Sequence, residues 1–255
     1  MSIVSVAMAV YWLRIAVIAG LLCLSHAKHR IPRTNAHRCP AIVPDRGMLM
    51  SQSGEDEHLL LFFNGWCNGT YVELGALDGV TYSNTYVFNK MLDWKGILLD
   101  ISPDNFVKLQ FNRKNEIAVI HAAVCAEATT VHYVSAGAVG GIWEFADPWF
   151  RKHWWGDVSL DDAIPVKCIP LLSVFGDIFY ADFFSLDVEG AELEVLQSID
   201  FRNAAFGVVL VEADSLNPAK NAAVRELMVK KGYAFIYHHQ RSDWFINEHW
   251  RHIYR

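Results

Sequence analysis

The sequence predicts an α/β domain built on a doubly wound, mostly parallel sheet. Short apolar runs of four or five residues recur along the chain, rich in β-branched, aromatic and leucine side chains. Runs so continuously apolar suit parallel strands covered on both faces. Helical stretches alternate with them, and acids close three of the runs, at the strand ends where ligands sit in such sheets.

Length and charge bound the rest. At 255 residues the chain can bury one large core, placed over residues 50–255 after a leader at 1–27 and an Arg-, His- and Pro-rich linker at 28–49. A net charge of −6 and a pI near 6.0 offer no basic field for nucleic acid, which is not expected as a partner.

From Ile3 to Leu24 the leader is apolar apart from Arg14. A cleaved signal peptide fits, with an n-region to Arg14, an h-region from Ile15 to Leu24 and a small-x-small site at Ser25, His26 and Ala27. An uncleaved membrane anchor also fits, with Arg14 costing roughly 2.5 to 3.5 kcal/mol at mid-bilayer. Either one directs the chain into the secretory pathway, to the endoplasmic reticulum or Golgi lumen as a type II membrane protein or to secretion. The basic run Lys28, His29, Arg30 and Arg33 counts against both, because such charge tends to stay cytosolic. A core helix is the third reading of this segment. In an oxidising lumen Cys39, Cys67, Cys125 and Cys168 admit two disulfides in any of three pairings, and with no CxxC pair a zinc site is not expected. Asn68-Gly69-Thr70 is a formal glycosylation sequon, or simply a turn before a buried strand.

The domain opens with a helix at "SGEDEHLLLFF", where Ser53 is the expected cap and Leu59, Leu60 and Phe63 recur at helical spacing. Strands follow at Tyr71 to Leu74, Gly96 to Leu99, Ala118 to Ala122, Phe183 to Leu186 and Val208 to Val211. Helices are expected over 84–92, 105–112, 171–175, 192–197 and 219–231, the last stopped by Gly232. Ala234 to Tyr237 and Asp243 to Ile246 form a C-terminal antiparallel hairpin. Residues 137–157, carrying Trp143, Trp149, Trp154 and Trp155, interrupt the rhythm. They read either as a satellite core or as a lid whose rings stack on a sugar.

The first strand ends in Glu73-x-Gly75-x-x-x-Gly79. That is not the GxGxxG of a dinucleotide fold, although a glycine bend at a strand end lets backbone approach a ligand. Asp100 closes the second strand, where a carboxylate accepts bonds from ribose hydroxyls. Asp187 closes the fourth, followed by Gly190 and a helix from Glu192.

These residues reach a known family. "SQSGEDEHLL" (51–60), "YVELGALDGVTYSNT" (71–85), "WKGILLDISPDNFVKL" (94–109), "NR" (112–113), "HAAVC" (121–125), "FFSLDVEGAELEVL" (183–196) and "KKGYAF" (230–235) occur in family order. Together they resemble the FkbM-type methyltransferases, above all the eukaryotic ones. The resemblance implies a class I methyltransferase (Rossmann-like) fold with S-adenosylmethionine as methyl donor. It implies that Glu73, Gly75 and Asp78 line the methionine side, Asp100 the ribose, and Ala122 and Ala123 the adenine. Ala76, Gly79, Asn84 and Ile101 join the same cofactor set, and Asp187 and Glu189 stand at the reacting end. Two departures stand out: Asp100-Ile101-Ser102-Pro103 replaces a glutamate-led loop, and Ser185 stands where bacterial members often carry lysine.

Methyl transfer from a sulfonium asks the protein to align the acceptor oxygen and remove its proton. Asp187 is the expected base and Glu189 the alternate; His121, His132 and His153 are read as structural. Asp187, Glu189 and Glu212 have the hard oxygens that suit magnesium or calcium, but no metal enters the expected site. The leading expectation is an O-methyltransferase for a hydroxylated acceptor such as a glycan. Its rivals are a catalytically silent glycan-binding or scaffold module of the same fold and a nicotinamide-dependent oxidoreductase.

Overall fold

The structure, a computed structural model, describes residues 34–40, 42–43, 45–63, 65–175, 179–213 and 215–249. The expected leader at 1–27 and the basic run behind it lie outside the described residues. Among the described residues no helix is long and apolar enough to cross a membrane.

The first half of the domain forms β1 (His37–Arg38), α1 (Glu55–Phe62), β2 (Trp66–Cys67), β3 (Thr70–Leu74), α2 (Tyr86–Met91), β4 (Lys95–Asp100), α3 (Pro103–Asn112) and β5 (Ala118–His121). Short strands β6 (Ala123–Val124), β7 (Thr129–Val134), β8 (Gly141–Ile142) and β9 (Ile164–Ile169) follow. The chain then returns through α4 (Leu172–Phe175), β10 (Phe179–Leu186), α5 (Glu192–Ser198), β11 (Ala204–Glu212) and α6 (Pro218–Lys230) to the hairpin β12 (Tyr233–His239) and β13 (Ser242–Asn247).

Seven strands make the main sheet, in the order β5-β4-β3-β10-β11-β13-β12. The first five run parallel, and β13 lies antiparallel to both its neighbours. This is the expected doubly wound sheet with a terminal hairpin. Successive side chains of a strand face opposite ways, so Val72 and Leu74 join one core while Tyr71 joins the other. Both faces are covered, which is why the strand sequences are continuously apolar.

Winding reverses between β3 and β10. Register sets Glu73 beside Ser185 and Leu74 beside Leu186, so the two strands end side by side, where such sheets open a crevice. Gly75, at φ +79°, continues from β3, and a Cβ built there would lie 1.7 Å from the Asp187 carbonyl oxygen. No side chain fits. Gly75→Ala is therefore expected to cost more than about 2 kcal/mol, from the left-handed backbone and the displaced strand end together. A thermal melt within a degree or so of wild type would refute the close approach.

Of the remaining strands, β1 pairs with β2 in a second sheet and four form a third, β6-β9-β7-β8, which the sequence reading did not anticipate. Cys125–Cys168 staples it, and Cys39–Cys67 ties β1 to β2. Residues 34–40, expected as part of a linker, are thus held to the domain, and the compact unit begins at Thr34. With sequence separations of 28 and 43 residues, chain entropy gives each disulfide about 3 to 4 kcal/mol.

The cap of α1 also differs from expectation. Gly54, at φ 84°, precedes the helix without a side-chain cap. Ser53 instead donates its backbone N–H to Glu55, and Asp56 collects the N–H groups of Met50 and Ser51 and the Ser51 hydroxyl. Acids of the first helical turn close the loop from within, leaving Ser53 no capping task.

Candidate functional site

A cavity of about 800 Å³ opens at the carboxyl ends of the central strands. Glu73, Gly75, Asn84, Asp100, Ile101, Ala122, Ala123, Asp187 and Glu189 all border it, so three strand ends and the start of the small sheet converge on one space. The insertion supplies a further wall through Gly137 to Gly140, Ile142, His153 and Trp154.

Glu73 is held by residues far from it in sequence. It is buried on β3 and accepts from the Ser83 hydroxyl, the Asn84 N–H (2.8 Å) and the Thr85 hydroxyl (2.6 Å). Burial pushes its carboxyl up, against Arg113 and these hydrogen bonds. Holding these three donors, Glu73 anchors the turn over 79–85. Arg113, itself buried, donates to Glu116, the Gly79 carbonyl, Ser83, the Tyr71 hydroxyl and Thr85. That satisfies all five guanidinium donors. The result is a rigid shelf carrying Asn84, whose Nδ2 donates to the Ser185 hydroxyl at 2.9 Å.

Asp100 ends β4 beside this shelf. Its Oδ2 accepts from the Leu77 N–H at 2.7 Å and its Oδ1 from the Ser102 N–H at 2.8 Å. Burial still raises its pKa to about 6, against those two bonds. Asp187 directly follows β10, its carboxyl pushed well above the usual range, first by burial and then by the charges of Glu212, Glu189 and Glu192. Oxygens of Asp187, Glu189 and Glu212 gather within 4.8 Å of one another, and Arg241 donates to Glu212 at 2.7 Å. Glu192 is taken by Lys220 and by the N–H groups of Val188 and Gly190. This side of the cavity thus collects a surplus of negative charge, which favours protonation or a cationic neighbour.

Three expected members stand away from the cavity. Asp78 turns back to accept from Val80, Thr81 and the Thr81 hydroxyl, which closes its own turn. Ala76 and Gly79 pack behind it, Ala76 bonding to the Leu99 carbonyl and Gly79 lying against Leu109 and Arg113. Leu77, at φ 47°, takes their place on the wall, and no sequence pattern marks it. Ser102 and Asn105 also border the cavity. Ser102 caps α3, with Pro103 in the first turn and the Asn105 N–H bonded to the Ser102 hydroxyl, a signature the sequence does carry.

Of the histidines, His121 bonds the Ile101 carbonyl and stacks on Phe106, while His132 pairs with the exposed Glu144. His153 alone of the three borders the cavity, stacked on Trp149 at 4.7 Å. The insertion divides between its two readings. Trp155 and Phe150 are buried in a small core, whereas Trp149 and Trp154 are 47% and 41% exposed. Residues 151–155 form π-helical turns, an irregularity frequent at functional sites.

Comparison with known proteins follows the same lines. The sequence matches the family model described as "Methyltransferase FkbM domain" over residues 73–235. A search of curated proteins finds no match. Among solved structures, a methyltransferase FkbM from Methylobacillus flagellatus superposes with TM-score 0.43 at 13% identity, covering 70% of this chain and 43% of that one. A precorrin-6y C5,15-methyltransferase from Geobacter metallireducens gives TM-score 0.39 at 13% identity over 80% and 92% of the two chains. A SAM-dependent methyltransferase from Aquifex aeolicus gives 0.41 at 12% identity over 80% and 94%. Assignment rests on the domain match, which spans well over half of the 255 residues: the chain belongs to the FkbM methyltransferase family.

Proposed function

We propose that this protein is an S-adenosylmethionine-dependent O-methyltransferase that acts in the secretory pathway on a hydroxylated acceptor such as a glycan. One observation carries the reading. Asn84, Asp100 and Asp187, brought from three separate stretches of the chain, all border one cavity at the carboxyl edge of the sheet. An amide and two carboxyl groups on one wall can accept hydrogen bonds from ligand donors. An amino-acid ammonium and a ribose carry such donors.

Asp100 would then hold the ribose hydroxyls, Asn84 and Asp187 the amino-acid end, and Ile101, Ala122 and Ala123 the flat base. Glu73 acts through the shelf it anchors. A cavity of about 800 Å³ lies towards the upper end of small-molecule sites, which leaves space for part of an acceptor. When bound, the cofactor supplies an electrophilic methyl group on sulfur. The protein's share is to align the acceptor hydroxyl and receive its proton on Asp187, or on Glu189 as the alternate. Exposed Trp154 offers a ring face of the kind that stacks on sugars. The two disulfides support an oxidising compartment.

Calorimetric titration with S-adenosylhomocysteine tests this. A carboxylate that accepts from ribose must be ionised, and Asp100 ionises at about 6. Ligand binding should therefore expel its proton, so the Asp100 contribution to affinity is constant well above about pH 6 and falls towards about tenfold per pH unit below it. Asp100→Asn should bind more weakly at pH 8 and lose that dependence. Heat from NAD with none from S-adenosylhomocysteine would sink the reading.

A further inference from the structure

We infer that Asn68 carries an N-linked oligosaccharide; this rests on the secretory routing proposed above. The sequon Asn68-Gly69-Thr70 lies between Cys67, which is disulfide-bonded to Cys39, and the start of β3. Its three residues meet different fates in the fold. A Cβ on Gly69 would lie 2.5 Å from the Trp94 ring, and Thr70 donates both its N–H and its hydroxyl to the buried Asp182. Packing explains both. Asn68 is exposed at φ 57°, and among the described residues its Nδ2 reaches the exposed His37 ring at 3.4 Å. A left-handed φ favours a short polar residue, and here its amide is left on the surface, where a bulky glycan is tolerated.

Placement agrees with a catalytic domain. Thr70 opens β3 and Leu74 ends it, so Asn68 sits at the amino edge of the sheet while the cavity lies at the carboxyl edge. An oligosaccharide there leaves the cavity clear. Because the Thr70 hydroxyl is engaged once the chain folds, transfer occurs on the entering chain. Asn68 Nδ2 bonds to the anomeric carbon of a lipid-pyrophosphate oligosaccharide and the bond from that carbon to the phosphate oxygen breaks. The lipid pyrophosphate leaves with the electron pair, and the amide proton passes to the transferring enzyme's base.

The test is intact-mass measurement of the full chain made in a glycosylating eukaryotic host, before and after peptide-N-glycosidase, with thiols counted in parallel. Expected are disulfide-bonded protein heavier by one oligosaccharide, loss of that mass with conversion of Asn68 to aspartate on treatment, no added mass in Asn68→Gln, and retention in Thr70→Ser. S-adenosylhomocysteine binding by Asn68→Gln should equal that of wild type. Disulfide-bonded chain at its unmodified mass would overturn the Asn68 inference and leave the routing intact. Free thiols in an unglycosylated, cell-retained chain would overturn the routing, and the inference with it.

Discussion

Arg113→Met is expected to remove about 3 to 5 kcal/mol of stability, the usual cost of leaving buried carboxylates without their cation. Glu116 lies 2.7 Å from the guanidinium and Glu73 4.0 Å, all three side chains being almost wholly buried. Methionine fills the volume of the stem but supplies none of the five donors, so the Gly79 carbonyl and the Ser83, Thr85 and Tyr71 hydroxyls lose a partner at the same time. The loss also reaches function, because these groups hold the turn that carries Asn84 into the cavity wall. S-adenosylhomocysteine affinity should fall with stability, whereas a cavity built independently of the shelf would keep its affinity. Arg113→Lys retains the charge but has three donors on a compact head, and should recover only part of the loss. Guanidinium denaturation with the disulfides intact measures both variants. A methionine variant within about 1 kcal/mol of wild type would show that the network contributes geometry without energy.

How far the fold could be read from sequence follows from burial. β3, β4, β10 and β11 are covered on both faces, and each left a continuous apolar run. The small sheet left none. In β7 the exposed Thr129 and Thr130 precede alternating buried Val131 and Tyr133, and in β9 exposed Ile164 and Pro165 precede buried Val166 and Cys168. Such short, half-exposed strands with a proline among them look like loop in one dimension. Strand-ending acids were legible for a related reason: an acid closing a buried apolar run marks the sheet edge, and Asp100 and Asp187 do share a cavity. Glu73 shows where that logic stops. Its position was readable, but its partners Ser83, Thr85 and Arg113 arrive from 10, 12 and 40 residues along the chain. Only the fold reveals that its oxygens already hold three donors. Asp78 is a second case, since only the fold shows its carboxylate closing its own turn through the Val80 and Thr81 N–H groups.

Asp187→Asn is expected to lower methyl transfer by about 10²- to 10⁴-fold, the range for loss of a positioned general base. Burial and three neighbouring acids raise the Asp187 carboxyl, and a base with a raised pKa has a greater pull on an acceptor hydroxyl once ionised. The Glu212 charge is among the causes that raise Asp187, so the two titrate together and the rising limb of rate against pH reports the pair as a unit. The wild-type rate should climb as that pair loses its proton. Asp187→Asn should flatten the limb, because an amide cannot take the proton at any pH. Asparagine keeps an acceptor oxygen in place, so S-adenosylhomocysteine binding should change by only a few-fold, which separates loss of chemistry from loss of the site. Transfer of labelled methyl to a glycan fraction reads the first quantity and calorimetry the second. If instead Glu189→Gln abolishes transfer while Asp187→Asn retains it with its pH limb intact, the proton goes to Glu189 and the buried charge at the end of β10 serves to hold the donor.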